Sequence, residues 1–560
     1  MSSVRWLAYD RTDEDITKHL CNIRGFDVDN LLPNYKEGLL DPFLFTDMPK
    51  AVELVREAKD NKWHVVIFGD YDADGTPASV ILSDTLDYLG IDNEVMLPSR
   101  TDGYGLKGDF VKDIAKKAKL LITVDTGITA VEEVKELKKA GVKVIILDHH
   151  LPGNEIPKAD AVIDSLIKDS GYPFTGLCGC AVAFKFIQAL GREFKEIDDK
   201  FTKWLLDLVA TSTVADMVPL VGENRVLVHY GLVVINHKKR PGIKAMLEAA
   251  GMDTAIINST TLGFAIGPRL NASGRLNDNW PAYNLLKVKT LAEARKIAYE
   301  VEEANRQRQA MVEKVLEEAE KMLFEQNDRT DHLFTIINDG WPTGVVGLVA
   351  GKISQKFSRP TIVVSQVDNL VKGSARSIEA FNITEAISAY SKLLINFGGH
   401  KQAAGLSLDA KNWPEFSESI KKKALDSISK KDIEPTKMAD AIIEGIEIKL
   451  EQAKKINSLQ PFGMGNNKPK LIIKNVIIDD FKVIGQDKKH ISFNFIKDEK
   501  QFRGIGFDLV KDFDHKKNDE VHLLGYLETN EWNGSETLQF RVIETQPASA
   551  NIETIKYAKI

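Results

Sequence analysis

Between residues 50 and 165 the chain alternates helical and strand patterns, and this alternation limits the fold more than any other feature. "AVELVREAKDN", "PASVILSDTLDYLG", "GDFVKDIAKKAK" and "AVEEVKELKKAG" carry helical periodicity. Between and after them stand "WHVVIFGD", "NEVMLP", "LLITVDTG" and "VKVIILDHH", short runs rich in branched residues. Strands that alternate with helices form a parallel sheet covered on both faces. Ligands of such sheets bind beyond the C-terminal ends of the strands.

The remainder divides by pattern. Residues 178–290 read as mostly helical, and 291–327, free of Pro and Gly, as one or two connecting helices. Residues 333–425 alternate again, which predicts a second α/β domain. From 470 to 548 the segments are short and strand-like, as in a small β-barrel or sandwich. The expected divisions are an N-terminal segment 1–49, the first α/β domain 50–230, a helical connector 231–327, the second α/β domain 328–425, a linker 426–469 and the β domain 470–560.

A length of 560 residues suits three to four domains. The net charge of −7 argues against a generic polyanion binder, but basic residues can be concentrated along one groove. The N-terminus "MSSVRWLAYDRTDED" lacks an apolar core and does not read as a signal peptide. No apolar run is long enough to span a bilayer. Cys21, Cys178 and Cys180 are too few for a disulfide framework, and "CGC" reads as small residues packed at a helix start rather than a zinc site. A cytoplasmic protein is expected.

The acidic stretch "GDYDADG" could suggest calcium. An EF-hand needs a Glu six places after the glycine, where this chain has Ile81, and a helix before the loop, where it has a strand. The acidic residues instead collect at element ends. Asp72 and Asp74 follow the first strand, Asp125 ends another, Asp148, His149 and His150 end the next, and Asp216 ends an apolar helical run. Parallel strands bring these ends to one edge, where so many carboxylates repel unless cations sit among them. Hard oxygens with one or two imidazoles suit manganese or magnesium, and a pair of ions bridged by a carboxylate suits attack on phosphorus.

"DYDADG", "TVDTG", "DHH" and "VADMVP" resemble the four ordered motifs of the DHH phosphoesterase superfamily. "GFAIGPRLNASGRL", "GWPTGVVGLVAGKISQKFSRPTIVVS", "GSARSIEAFN" and "FGGHKQAAGLSL" are similar to the bacterial RecJ exonuclease family, as are "LLDPFLFTDMPKAVE" and "LQPFGMGNNKP". The likeness covers roughly residues 35 to 545.

The resemblance implies a 5′→3′ exonuclease on single-stranded DNA that releases 5′-mononucleotides with two Mn2+ or Mg2+ ions, in DNA repair and recombination. It implies a DHH domain, a DHHA1-like substrate domain and an OB-fold, in a monomer that a single-strand-binding protein could supply. By that pattern Asp72 and Asp125 hold one ion, and Asp74, Asp125, His149 and Asp216 the other. His150 faces the scissile phosphate, with Asp70 and Asp148 as supports. Relatives often have His where this chain has Phe68, so the first ion would bind more weakly or take Asp70 as a substitute ligand. Ser374 and Arg376 fall where the family recognises a terminal phosphate, with Ala375 in place of the usual Gly. Gly398, Gly399 and His400 are expected beside the metal crevice, and Arg100, Arg269, Asn271 and Arg275 are further phosphate candidates. Pro342 stands where relatives often have His. Lys488, Lys489, Phe493, Phe495, Trp532 and Phe540 are the OB-fold candidates for strand contact, some of them core by alternation.

The competing enzymatic reading is a DHH oligonucleotide or cyclic-dinucleotide phosphodiesterase, and residues 470–548 weigh against it because those chains generally lack an OB-fold. The same region and the chain length weigh against a family II pyrophosphatase. A non-catalytic replication scaffold would have lost metal ligands, whereas none of the four motifs is broken here.

Overall fold

The computed structural model describes residues 4–29, 31–99, 105–275, 279–325, 331–532 and 535–557. The chain forms two compact units. One comprises residues 24–305 and 454–468, the other residues 1–23, 306–453 and 469–560. The boundary near residue 305 falls inside a single helix, Leu291–Glu325, the connecting helix that the sequence predicts.

The first unit is built on a five-stranded parallel sheet in the order Asn93–Met96, Val65–Gly69, Leu120–Val124, Lys143–Leu147, Ala161–Ile163. Its central strands are buried along their whole length because helices cover both faces. One face packs on the helices Met48–Asp60, Gly75–Tyr88 and Gly179–Glu193, whose apolar residues form the largest core. The other face, including Phe68, packs on Gly108–Lys117 and Val131–Lys139.

Register does the positioning. Gly69 pairs with Val124, Val124 with Leu147, and Leu147 with Ile163. The next residue on each of these strands is an aspartate, so Asp70, Asp125, Asp148 and Asp164 stand in one row along the C-terminal edge. Neighbouring strands are about 4.8 Å apart. Four carboxylates are thus gathered by strand pairing alone.

In the second unit a five-stranded sheet runs Asn396–His400, Ala403–Asp409, Leu370–Arg376, Thr361–Val367, Phe334–Asp339, antiparallel except for the last pair. The helix Thr343–Phe357 packs against it. A closed barrel follows, with Leu471–Ile484 paired to both His490–Lys497 and Glu520–Trp532. Phe493, Phe495 and Phe540 fill its interior, so they are core rather than strand-contact residues. Lys488 and Lys489 lie in the exposed turn before His490–Lys497. The Trp532 side chain lies outside the described residues.

Residues 426–469, expected as a linker, contain two strands and the helix Leu450–Asn457. Thr436–Ala439 and Ile552–Ile555 flank Arg5–Tyr9 in a parallel three-stranded sheet. Trp6 and Ala8 of the middle strand are buried against Ala439, Ile472, Leu524 and Ile552. Within the expected N-terminal segment 1–49, Arg5–Tyr9 is therefore an integral strand of the second unit, whereas residues from 24 onward belong to the first. Among the described residues no helix is long and apolar enough to cross a membrane.

Candidate metal centre

The acidic loop after Val65–Gly69 is held by its own side chains and by two neighbouring helices. The Asp72 Oδ1 atom accepts from the backbone N–H of Asp74 (2.8 Å) and Gly75 (3.0 Å), an Asx turn that begins the helix Gly75–Tyr88. Asn271 Oδ1 accepts from Ala73 N–H at 2.9 Å, and Ser212 Oγ donates to the Ala73 carbonyl at 3.0 Å. Asn271, a sequence candidate for phosphate contact, thus uses its carbonyl oxygen to position the loop.

Asp74 is buried at the start of the helix Gly179–Glu193. Its two oxygens accept from Gly179 N–H (2.7 Å) and Cys180 N–H (2.9 Å). The positive end of that helix stabilises the carboxylate and fixes its direction. Close approach explains "CGC": a Cβ on Gly179 would stand 2.6 Å from Asp125 Oδ1.

Asp125 adopts a left-handed backbone conformation, φ 58°, uncommon for a non-glycine residue and typical of functional strain. Its buried Oδ1 has no hydrogen-bond partner, and His149 Nε2 lies 3.1 Å away. His149 Nε2 is also 3.7 Å from Asp74 Oδ2 and 3.8 Å from Asp216 Oδ2. Asp216 caps the C-terminus of the helix Leu206–Ala215. Asp148 plays a different part. Its Oδ1 accepts from the N–H of His149 (2.8 Å) and lies 2.8 Å from His150 Nδ1, while Oδ2 accepts from Ile128 N–H.

Potential ligand atoms fall into overlapping groups: Asp70, Asp72 and Asp125; Asp74, His149 and Asp216; and Asp125, His149 and His150. Asp125 belongs to the first and third, which suits a shared ligand. Asp70 Oδ1, like Asp125 Oδ1, is buried without a hydrogen-bond partner. Orphaned hard oxygens in a tight cluster with a neutral imidazole fit Mn2+ or Mg2+.

The electrostatics match a centre that needs cations. Burial, then Asp72, pushes Asp70 up to about 8. Burial and the surrounding aspartates, Asp74 foremost, push Asp125 well above the carboxylate range. Burial, then Asp74, raises Asp216 to about 9. Burial also lowers His149, keeping it neutral and able to donate a lone pair. At His150 burial opposes the charge, but the bond to Asp148 outweighs it and lifts the imidazole to about 9.

The other sequence candidates divide. Arg269 is paired with Glu302 through Nε (2.6 Å) and Nη2 (3.3 Å) and donates to the Ala265 carbonyl, so its guanidinium is engaged within the protein. Arg275 ends the helix Gly267–Arg275. Arg100 lies outside the described residues.

In the second unit Arg376 and His400 both pair with Ala403, on opposite sides, and share one row of the sheet. Arg376 Nη1 donates to Ser374 Oγ and to the Ala375 carbonyl, both at 2.9 Å. This guanidinium is largely buried, burial lowers its pKa, and among the described residues it has no carboxylate partner. Gly347 of the neighbouring helix leaves room, since a Cβ there would stand 3.0 Å from Ser374 Oγ. Ala375 points to the opposite face and is buried in the core, so its methyl does not crowd the Ser374–Arg376 face. Gly399, at φ 151°, has the Ala403 carbonyl where a Cβ would go. Pro342 is the exposed N-cap of Thr343–Phe357.

Sequence reasoning missed Asp164, the fourth member of the aspartate row. It is buried, its Oδ2 has no hydrogen-bond partner, and burial raises it to about 7. The stretch "ADAVID" carried the signal, an apolar strand ending on Asp like its neighbours.

Three family models match in order: the DHH family N-terminal domain at residues 64–213, the DHHA1 domain at 330–426 and the RecJ OB domain at 439–544. The single-stranded-DNA-specific exonuclease RecJ of Bacillus subtilis (strain 168) is 34% identical over 97% of this chain and 70% of its own length. That of Haemophilus influenzae is 32% identical over 91% of this chain and 92% of its own length. The crystal structure of Thermus thermophilus RecJ in complex with Mn2+ superposes with a TM-score of 0.81 at 26% identity, covering 98% of this chain and 80% of that one. The same protein has also been solved with Mg2+, at a TM-score of 0.77. Three family models matched in order, and relatives 34% and 32% identical over nearly the whole chain, show that the chain belongs to the RecJ family of single-stranded-DNA-specific exonucleases.

Proposed function

We propose that this protein degrades single-stranded DNA from its 5′ end, releasing 5′-mononucleotides, with two Mn2+ or Mg2+ ions. The observation that carries the reading is Asp125, a buried carboxylate with an orphaned oxygen that belongs to two overlapping donor groups. Asp70, Asp72 and Asp125 would hold one ion. Asp74, Asp125, His149 and Asp216 would hold the other. Bound there, the ions supply a water acidified to hydroxide and charge stabilisation at phosphorus.

The chain's own residues do the rest. The helix start at Gly179–Cys180 fixes Asp74, and the Asx turn fixes Asp72. Asp148 orients His150 through Nδ1, which suits the imidazole to contact a phosphoryl oxygen. Arg376, desolvated and without a carboxylate partner among the described residues, is suited to a terminal phosphate beside Ser374. The barrel supports strand binding, and it weighs against a small-substrate phosphodiesterase. A monomer in the cytoplasm, supplied by a single-strand-binding protein, completes the proposal.

The test uses internally labelled single-stranded DNA with Mn2+, one end blocked at a time. Mononucleotide release that stops with a blocked 5′ end, and is absent in Asp125→Ala, is expected. Release unaffected by a 5′ block, or cleavage of dinucleotides alone, overturns the assignment.

A further inference from the structure

Two large apolar side chains stand in solvent on the elements that build the metal centre. Phe264 is 83% exposed and Met217 is 64% exposed. Met217 directly follows Asp216. Its backbone is left-handed, φ 59°, a strained conformation for a residue with an unbranched apolar side chain. Phe264 lies in a widened turn, Leu262–Ile266, where Gly267 N–H reaches back five residues to the Leu262 carbonyl. Such π-turns recur at functional sites because they re-aim side chains without ending the helix.

The two residues belong to elements in direct contact. The helix Leu206–Ala215, which delivers Asp216, packs on that turn. A Cβ on Gly263 would touch Val214 Cγ1 at 3.4 Å, and one on Gly267 would meet Ala215 Cβ at 3.0 Å. The turn continues into Gly267–Arg275, whose Asn271 holds the acidic loop through Ala73. Phe264 is therefore tied through two packed helices to both Asp216 and the Asp72–Asp74 loop. A core role is excluded by its exposure. An aromatic face held in water on a turn packed against the helix that delivers Asp216, in a chain of this family, is suited to one occupant, the face of an unpaired base.

We propose that Phe264 is a stacking platform for a nucleobase of the single strand on which the metal centre acts. This rests on the exonuclease reading and adds a substrate contact to it. Stacking is indifferent to base identity, so the platform would hold any sequence while rejecting a base already paired and stacked in a duplex.

The test compares wild type, Phe264→Ala and Phe264→Trp on an oligonucleotide and on the same oligonucleotide with abasic sites along its 5′ segment. Phe264→Ala is expected to raise KM about tenfold on the normal strand, the size of effect that stacking of one base supports. It should leave the abasic strand unchanged, and Phe264→Trp should restore the wild-type value. An unchanged KM on the normal strand, or equal losses on both strands, overturns the proposal. Binding of the two oligonucleotides by fluorescence anisotropy in EDTA gives the same comparison without catalysis. A wild type that binds with this dependence but releases no nucleotide would sink the exonuclease reading and leave the platform standing.

Discussion

The Nδ1 atom of His150 lies 2.8 Å from Oδ1 of Asp148, a carboxylate whose other oxygen is bonded to the Ile128 N–H. Asp148 is therefore spent on orienting an imidazole. Asp148→Asn should lower kcat about 10- to 100-fold, the usual effect of removing such a support. Mn2+ affinity should stay near wild type by titration calorimetry, and a parallel loss of affinity would make Asp148 a ligand instead.

Removal of metal leaves Asp125 buried among Asp70, Asp72, Asp74 and Asp216. Asp125→Asn relieves that repulsion, so the EDTA-treated variant should melt above EDTA-treated wild type. Added Mn2+ should raise the Tm of wild type and have little effect on the variant, because only a bound ion shifts the folding equilibrium. Calorimetric scans with and without metal test both parts.

Asp70 shares a donor group with Asp72 and Asp125 on the strand where Phe68 occupies a core position. In Asp70→Asn the Mn2+ stoichiometry should fall from two ions to one, with the Asp74–His149–Asp216 group retained. Two ions bound at wild-type affinity would show that Asp70 only supports its neighbours.

Arg376 lacks a carboxylate partner among the described residues, and its Nη1 donates to Ser374 Oγ and the Ala375 carbonyl. Arg376→Lys keeps the charge but loses the planar fork, so KM for a 5′-phosphorylated strand should rise about tenfold. A 5′-hydroxyl strand should show a much smaller change. Equal effects on both strands would place the terminal phosphate elsewhere.

Away from the centre, Asp84 is surrounded by Lys287 (3.0 Å), Lys289 (2.9 Å) and Arg240 (3.7 Å). Burial works against its charge, but these cations outweigh it and hold its pKa below the ordinary value. A depressed carboxylate stabilises the fold above its unfolded pKa and loses that contribution as pH falls through the folded value. Asp84→Asn should cost about 3 kcal/mol at neutral pH. The gap to wild type should be constant above about pH 5 and close below about pH 4, as urea melts across this range would show.

The amino-acid sequence by itself determined the α/β class and brought most of the candidate metal-binding side chains to one edge, for a local reason. A buried parallel strand reads as a run of branched residues, and the residue after its last one must lie at the sheet's C-terminal edge. "DYDADG", "TVD" and "DHH" therefore fall together whatever the tertiary contacts are. Alternation left the barrel aromatics undivided between core and surface, and strand pairing was needed to bury Phe493, Phe495 and Phe540. Only the tertiary structure separated residues of equal chemistry: Asp148 oriented His150, Asn271 held the acidic loop, Arg269 faced Glu302 and Arg376 had no carboxylate among the described residues. It also joined Arg5–Tyr9 to strands more than 400 positions away. Pairing over such distances is decided by register and packing, which composition and periodicity along one chain do not encode.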